Sequence, residues 1–178
     1  MPSPLAVGVV VWLSSELMFF AGLFAAYFTL RGTSDVWPPE GVELETVRTA
    51  GATLILLISS VTMHKATMAA EHGHGTLAAR WLTVTGLLGA AFLGNQASEY
   101  AAATFTMSSH AYGSMFFLMT GFHGLHVLGG ILFMGAAAYV AGRGSKAPTV
   151  PTLLVCAYYW HFVDAVWVGM FLTIYLIQ

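Results

Sequence analysis

The chain has 178 residues, of which 57% are hydrophobic and only 8% charged, and its formal net charge is −2. A water-soluble domain carries about 25% charged residues, so a protein this apolar, with mean hydropathy +0.75, has the membrane as its solvent. Six Lys and Arg in all exclude the basic footprint of a nucleic-acid binder, and the apolar total leaves no room for a large extramembrane domain.

Five apolar segments run between clusters of charge, Pro and Gly: Leu5 to Leu30, Thr49 to Met68, Ala78 to Ala102, Tyr112 to Ala141 and Thr152 to Ile177. Each reaches the roughly 20 residues that a helix needs to cross a bilayer. They are continuously apolar rather than alternating, which excludes the strands of a transmembrane barrel. The expected fold is an all-α integral membrane protein, one domain over residues 1–178 built as a bundle of five transmembrane helices. The first segment has no Lys or Arg ahead of it. It also exceeds the apolar core of about 7 to 15 residues found in signal peptides, so it is expected to stay in the mature protein.

The longest connection, Arg31 to Arg48, contains Trp37-Pro38-Pro39 and three glutamates, Glu40, Glu43 and Glu45. It reads as a rigid turn followed by an acidic approach to the second helix. The next connection carries Lys65, Glu71, His72, His74 and Arg80, and the last carries Arg143, Lys146 and Pro148. With five spans the termini face opposite sides. Lys65, Arg80, Arg143 and Lys146 then share the amino-terminal side, against Arg31 and Arg48 on the other. By the positive-inside bias the amino terminus is expected to be cytoplasmic and the carboxyl terminus outside. Small residues at Gly22 and Ala26, Gly86 and Gly89, and Ala90 and Gly94 suit close helix approach. Trp37 and Trp81 are placed as interface markers, and the single cysteine, Cys156, sits in an apolar stretch.

A charged side chain at mid-membrane costs about 2.5 to 3.5 kcal/mol on insertion scales, so the ionisable residues within the segments need a reason to be there. Glu16, His126 and Asp164 each fall within two residues of a segment midpoint and can share one polar layer. His161 and Asp164 are three apart on one helix face, where the carboxylate can accept from the imidazole. Glu99 falls toward the outer interface. His123 and His126, with His161 on a neighbouring helix, could resemble a bundle-core ligand set, but the Glu-x-x-His runs of di-iron bundles are missing. The expected arrangement is instead a polar core, with histidines hydrogen-bonded to carboxylates or backbone between helices. Desolvation disfavours a charged Glu16, which makes it a candidate proton carrier or lipid-headgroup partner. The other reading is a structural carboxyl bonded to a Ser or His of another helix. His72 and His74 lie in a polar connection where solvation outweighs a site.

These residues bring a resemblance into view. Ser15-Glu16 with Phe19-Phe20, Trp37-Pro38-Pro39 with Gly41, and Gln96 with Glu99-Tyr100 are similar to motifs of subunit III of the haem-copper cytochrome c oxidases. So are Tyr112-Gly113-Ser114, the run Thr120 to Val127 around His123 and His126, and Tyr159 to Asp164 with Trp167. The order covers essentially the whole chain. It looks like the short bacterial form with five helices, lacking the first two of the seven that many relatives have. His110 stands where relatives commonly have an acidic residue, and Thr152 to Cys156 where many carry a glutamate.

The resemblance implies an accessory subunit without redox centres in a proton-pumping respiratory complex of the bacterial plasma membrane. Its implied partners are catalytic subunit I, which holds haem and copper, subunit II, membrane lipids and, in a supercomplex, a cytochrome bc-type complex. Bound phospholipid and a role in proton uptake and durability during turnover are implied with it. Glu16, Glu99, His123, His126, His161 and Asp164 are the candidate proton-uptake or lipid-associated residues, and no catalytic, cofactor or metal ligand is expected in this chain. Rival readings are the equivalent subunit of a quinol oxidase, a nitric oxide reductase accessory subunit, a haem-bearing membrane anchor using His126 and His161, and a proton-coupled transporter using Glu16 and Asp164. The last lacks the internal repeats usual in transporters.

The charge count generates a direct test of topology. A single cysteine placed by Ser145→Cys in a Cys156→Ala background is expected to react with an impermeant maleimide only from the cytoplasmic side. Labelling from outside would reverse the orientation.

Overall fold

The computed structural model describes residues 4–142 and 149–177. Five long helices follow one another: α1 (Pro4–Gly32), α2 (Thr46–Glu71), α3 (Gly75–Ala102), α4 (Ala111–Gly142) and α5 (Thr149–Phe171), with a π-helical turn at Leu172–Leu176 closing the last. No strand occurs among the described residues. All five are long and apolar enough to cross a membrane. Helices extend beyond the apolar segments by up to three residues at either end, because their end turns take in polar residues such as Thr46, Arg48 and Glu71 that hydropathy alone leaves out.

Helices α2, α3, α4 and α5 form the bundle proper, each packed on its two neighbours, α2 on α5 included. Helix α1 lies outside it, against α4 and, more lightly, α5. Of its described side chains, Val9, Phe20 and Tyr27 are buried, so most of α1 is exposed on this chain. Two apolar recesses follow from that loose seat. One of about 570 Å³ lies between Leu5, Val9, Leu13 and Tyr158. The other, of about 410 Å³, lies between Leu17, Phe24, Phe162 and Val166.

The connections close the ends with few residues. Between α2 and α3 the chain reverses at Gly73, whose φ of +77° is the left-handed conformation that glycine adopts without a Cβ penalty. The amides of His72, Gly73 and His74 turn back onto the carbonyls of Met68, Ala70 and Ala69, satisfying the end of α2. The α1–α2 loop contains a cis Trp37–Pro38 bond. Trp37 does not simply float at the interface: it packs edge-on against Tyr27 and Tyr112, with centroids 5.2 Å away in both cases. Its indole N–H donates to the Tyr27 hydroxyl at 2.9 Å. Trp81 is half-buried, with Lys65 Nζ 4.7 Å over its ring.

Of the glycines that the spacing indicates, Gly89 makes a close helix approach and Gly22, Gly86 and Gly94 do not, while Gly130, which the spacing did not single out, does. A Cβ at Gly22, Gly86 or Gly94 would meet nothing within 4 Å, whereas one at Gly89 would lie 2.6 Å and one at Gly130 2.8 Å from the Trp160 ring. The small residues of α3 and α4 make room for one fully buried indole from α5. Added volume in a well-packed core costs about 1 to 3 kcal/mol, so Gly130→Val is expected to lower the detergent-solubilised unfolding midpoint by several degrees. Gly86→Ala, which meets open space and improves helix propensity, is expected to leave it unchanged or raise it. Equal effects of the two would show that Trp160 is not wedged between α3 and α4.

Candidate functional site

The polar residues of the spans form three separate groups and one solitary ring. The first group joins α1 to α4. Nε2 of His126 lies 3.0 Å from Oε2 of Glu16, and Nδ1 of His126 lies 2.7 Å from the carbonyl oxygen of Phe122. A carbonyl only accepts, so Nδ1 carries a proton. One further proton then lies between Nε2 and the carboxyl, either as imidazolium and carboxylate or as imidazole and carboxylic acid. Both forms have zero net charge. This is how an ionisable pair stays at mid-membrane depth with a quarter of the Glu16 side chain exposed. Tyr159 of α5 donates to the backbone oxygen of His126 at 3.0 Å, steadying the turn that carries the imidazole.

The second group joins α2 to α5. His161 and Asp164 share a helix face as their spacing indicates, but they do not bond directly. Ser60 of α2 stands between them: its Oγ is 3.0 Å from Nδ1 of His161, and it donates to Oδ2 of Asp164. Asp164 is buried and His161 exposed. The serine left no signal in the sequence beyond being one of several hydroxyl residues in α2.

The third group surrounds Glu99, which lies one turn from the end of α3 yet is only 7% exposed. The π-helical turn explains how it is held. The wide turn, closed by the Ile177 amide on the Leu172 carbonyl at 2.8 Å, brings the Tyr175 hydroxyl to donate to Oε2 of Glu99 at 2.8 Å. Thr49 donates to Oε1 at 3.3 Å, and the Gln96 amide to Oε2 at 3.4 Å. Beside it a cavity of about 260 Å³ opens between Glu45, Arg48, Asn95 and Phe105. Arg48 donates to Asn95 at 2.9 Å and to Ser98. The carboxyl expected at the outer interface is thus a buried joint of α2, α3 and the chain end.

His123 is the solitary ring. It is 1% exposed, and neither of its nitrogens has a hydrogen-bond partner, contrary to the expected bond to carboxylate or backbone. Aromatic rings enclose it instead: Trp167 at 4.9 Å, Phe92 at 5.8 Å and Phe20 at 6.5 Å between centroids. Although His123 and His126 are one turn apart, the first points into this aromatic cage and the second toward α1. Among the described residues no group of three or more His, Cys, Asp or Glu side chains could hold a metal ion. His110, in the α3–α4 loop, is a role the sequence reading missed. Its Nδ1 accepts from the Gly113 amide at 2.8 Å and so caps the start of α4.

Five long apolar helices with ionisable side chains set between them define a multi-pass membrane protein. The family model described as "Cytochrome c oxidase subunit III" matches residues 2–178. A Corynebacterium diphtheriae protein named "Cytochrome c oxidase subunit 3" is 46% identical over 99% of this chain and 90% of its own length. Nocardia farcinica has a "Probable cytochrome c oxidase subunit 3" that is 43% identical over the same shares. The Thermostichus vulcanus "Cytochrome c oxidase subunit 3" is 37% identical over 96% of this chain and 86% of its own. The chain belongs to the cytochrome c oxidase subunit III family.

The Glu99 joint can be tested by its donor. Tyr175→Phe removes the shortest hydrogen bond to a buried carboxyl, an interaction worth about 1.5 to 3 kcal/mol when the acceptor is charged. The variant is expected to unfold several degrees earlier in detergent. The control Tyr158→Phe, at an exposed position of α5, is expected to match the parent.

Proposed function

We propose that this chain serves as the accessory subunit of a proton-pumping respiratory cytochrome c oxidase in a bacterial plasma membrane. It associates there with catalytic subunit I and with subunit II, and the redox centres, haem and copper, belong to those partners. Its own work is to support proton uptake, to hold phospholipid and to prolong the life of the catalytic subunit. The family match along residues 2–178 supports the placement in the complex.

The observation that carries the finer reading is the Glu16–His126 pair, a neutral couple with one shared proton near the bilayer middle. It stores a proton between Oε2 and Nε2 without placing net charge in lipid. A second observation favours the lipid role: the two recesses that follow one another along the α1–α5 seam have the apolar lining that suits acyl chains. Acyl chains seated there would brace the otherwise loosely held α1 against the bundle.

The reading is tested by comparing the oxidase with and without this subunit. Haem and copper spectra and the initial turnover rate near neutral pH are expected to survive its removal. As pH rises and protons become scarce, the depleted enzyme is expected to fall behind, and it should inactivate within fewer turnovers. Glu16→Gln in the intact complex keeps one hydrogen bond to His126 and is expected to assemble normally with a mild loss of activity. Identical pH profiles and lifetimes would reduce the subunit to an assembly role, and immediate loss of haem would place cofactor ligands in this chain.

A further inference from the structure

The α2–α5 side of the bundle presents polar atoms where lipid can answer none of them. His161 lies two residues from residue 163, the midpoint of its span at Val150–Leu176. At 1.5 Å per residue that is about 3 Å from mid-membrane, and the imidazole is exposed. Ser60 has a single proton and gives it to Oδ2 of Asp164, so its Oγ accepts Nδ1–H of His161. Nε2 is left as an outward acceptor, and it makes no hydrogen bond among the described residues.

Behind the imidazole, Asp164 is 4% exposed, its Oδ1 has no partner, and no Lys or Arg pairs with it among the described residues. The island therefore offers the membrane an acceptor backed by an uncompensated carboxyl. Hydrocarbon supplies no donor. The Glu16–His126 pair on the opposite side of α5 differs in the one respect that matters, since its two members complete each other and need nothing further.

The surroundings fit the same conclusion. Along α2, Leu57, Val61 and Met68 are exposed on the stripe that also carries His64, and on α5 Tyr158 and Leu172 flank His161. An apolar rim around one polar centre is how transmembrane helices recognise one another, with the polar contact fixing register. His64 is exposed on the α2 stripe one turn beyond Ser60, which adds a second polar group to that face.

We infer that the α2–α5 face is the docking surface for a transmembrane helix of a partner oxidase subunit, and that this helix presents a hydrogen-bond donor to Nε2 of His161 at mid-membrane. The inference rests on the chain acting within an oxidase complex. A donor is required because the free ring nitrogen is an acceptor and the nearest unpaired group is a carboxyl; a partner acidic side chain would meet like charge.

The test uses the assembled oxidase in its own membranes, with the full chain carrying a benzophenone amino acid at Val61, at Leu87 on α3 or at Leu132 on α4. All three positions are exposed. Irradiation is expected to join Val61 to another oxidase subunit at least tenfold more than either control. Adducts of Val61 with lipid or with a second copy alone, or stronger subunit adducts at Leu87 or Leu132, would overturn the assigned face.

In a second arm, affinity-tagged chain is recovered in mild detergent and haem is counted per chain. His161→Leu is expected to reduce haem about threefold, the factor that one interhelical hydrogen bond of average strength supplies in a membrane, while helical content stays constant. His161→Gln, whose carboxamide oxygen can accept, is expected to restore most of it. Undiminished haem in His161→Leu would remove the imidazole from the interface. A parent chain that recovers no haem protein at all would overturn the complex itself, a result distinct from a misplaced face.

Discussion

Hydrocarbon forms no hydrogen bonds, and the architecture follows from the need to answer every polar atom of the spans within the protein. Helices satisfy their own backbones, so the problem passes to the side chains, and here they are answered in pairs across helix boundaries. Trp160 donates to Ser59 at 2.9 Å and Trp167 to Thr53 at 2.9 Å, both joining α5 to α2. Thr62 and Thr85 meet at 2.7 Å between α2 and α3, and Tyr100 and Thr120 at 2.6 Å between α3 and α4. Individually such bonds are worth about 0.6 kcal/mol on average in membranes. Their collective effect is register: sliding one helix by a turn would leave several of them unmade at once.

Packing follows the same division of labour. In lipid there is no hydrophobic gain in bringing two apolar helices together, so contact must come from shape. Trp160 shows how that is arranged, with its indole seated against Gly89 and Gly130, where a Cβ would collide with it, and its nitrogen engaged by Ser59. One large ring thus reads three other helices. His123 uses shape alone, its imidazole treated as one more aromatic plate among Phe92, Trp167 and Phe20.

Much of this was legible from the residues. Five long apolar runs interrupted by charge and proline can fold only as spanning helices, and the unusual ionisable residues Glu16, His126, His161 and Asp164 announced themselves by depth. What depth could not reveal was orientation around the helix axis, which depends on which neighbour each face meets. Hence His123 and His126, one turn apart, diverge, and Ser60 intervenes between two residues that spacing alone would join. The same blindness affected the glycines: Gly22 and Gly94 have the spacing of packing residues but face open space, whereas Gly130 lies under Trp160. That Glu99 is buried near the end of its span was not legible, because the π-helical turn that delivers Tyr175 to it has no signature in hydrophobic pattern. The histidine cap at His110 depends on loop geometry that only the folded chain displays.

The position of α1 bears on how the protein is made. Its polar contacts with other helices reach later parts of the chain: Glu16 meets His126 of α4, the Tyr27 hydroxyl the Thr173 carbonyl and Arg31 the Ile177 carbonyl. A ribosome delivers α1 first, when none of those residues yet exists. The helix must therefore wait in the bilayer as a solitary span, for which its composition, the most apolar of the five, is suited. Helix α4 is the first neighbour to reach it, through His126, and the two carboxyl-terminal bonds follow when the last residues are made. The carboxyl-terminal turn thereby closes a clasp that α4 has begun.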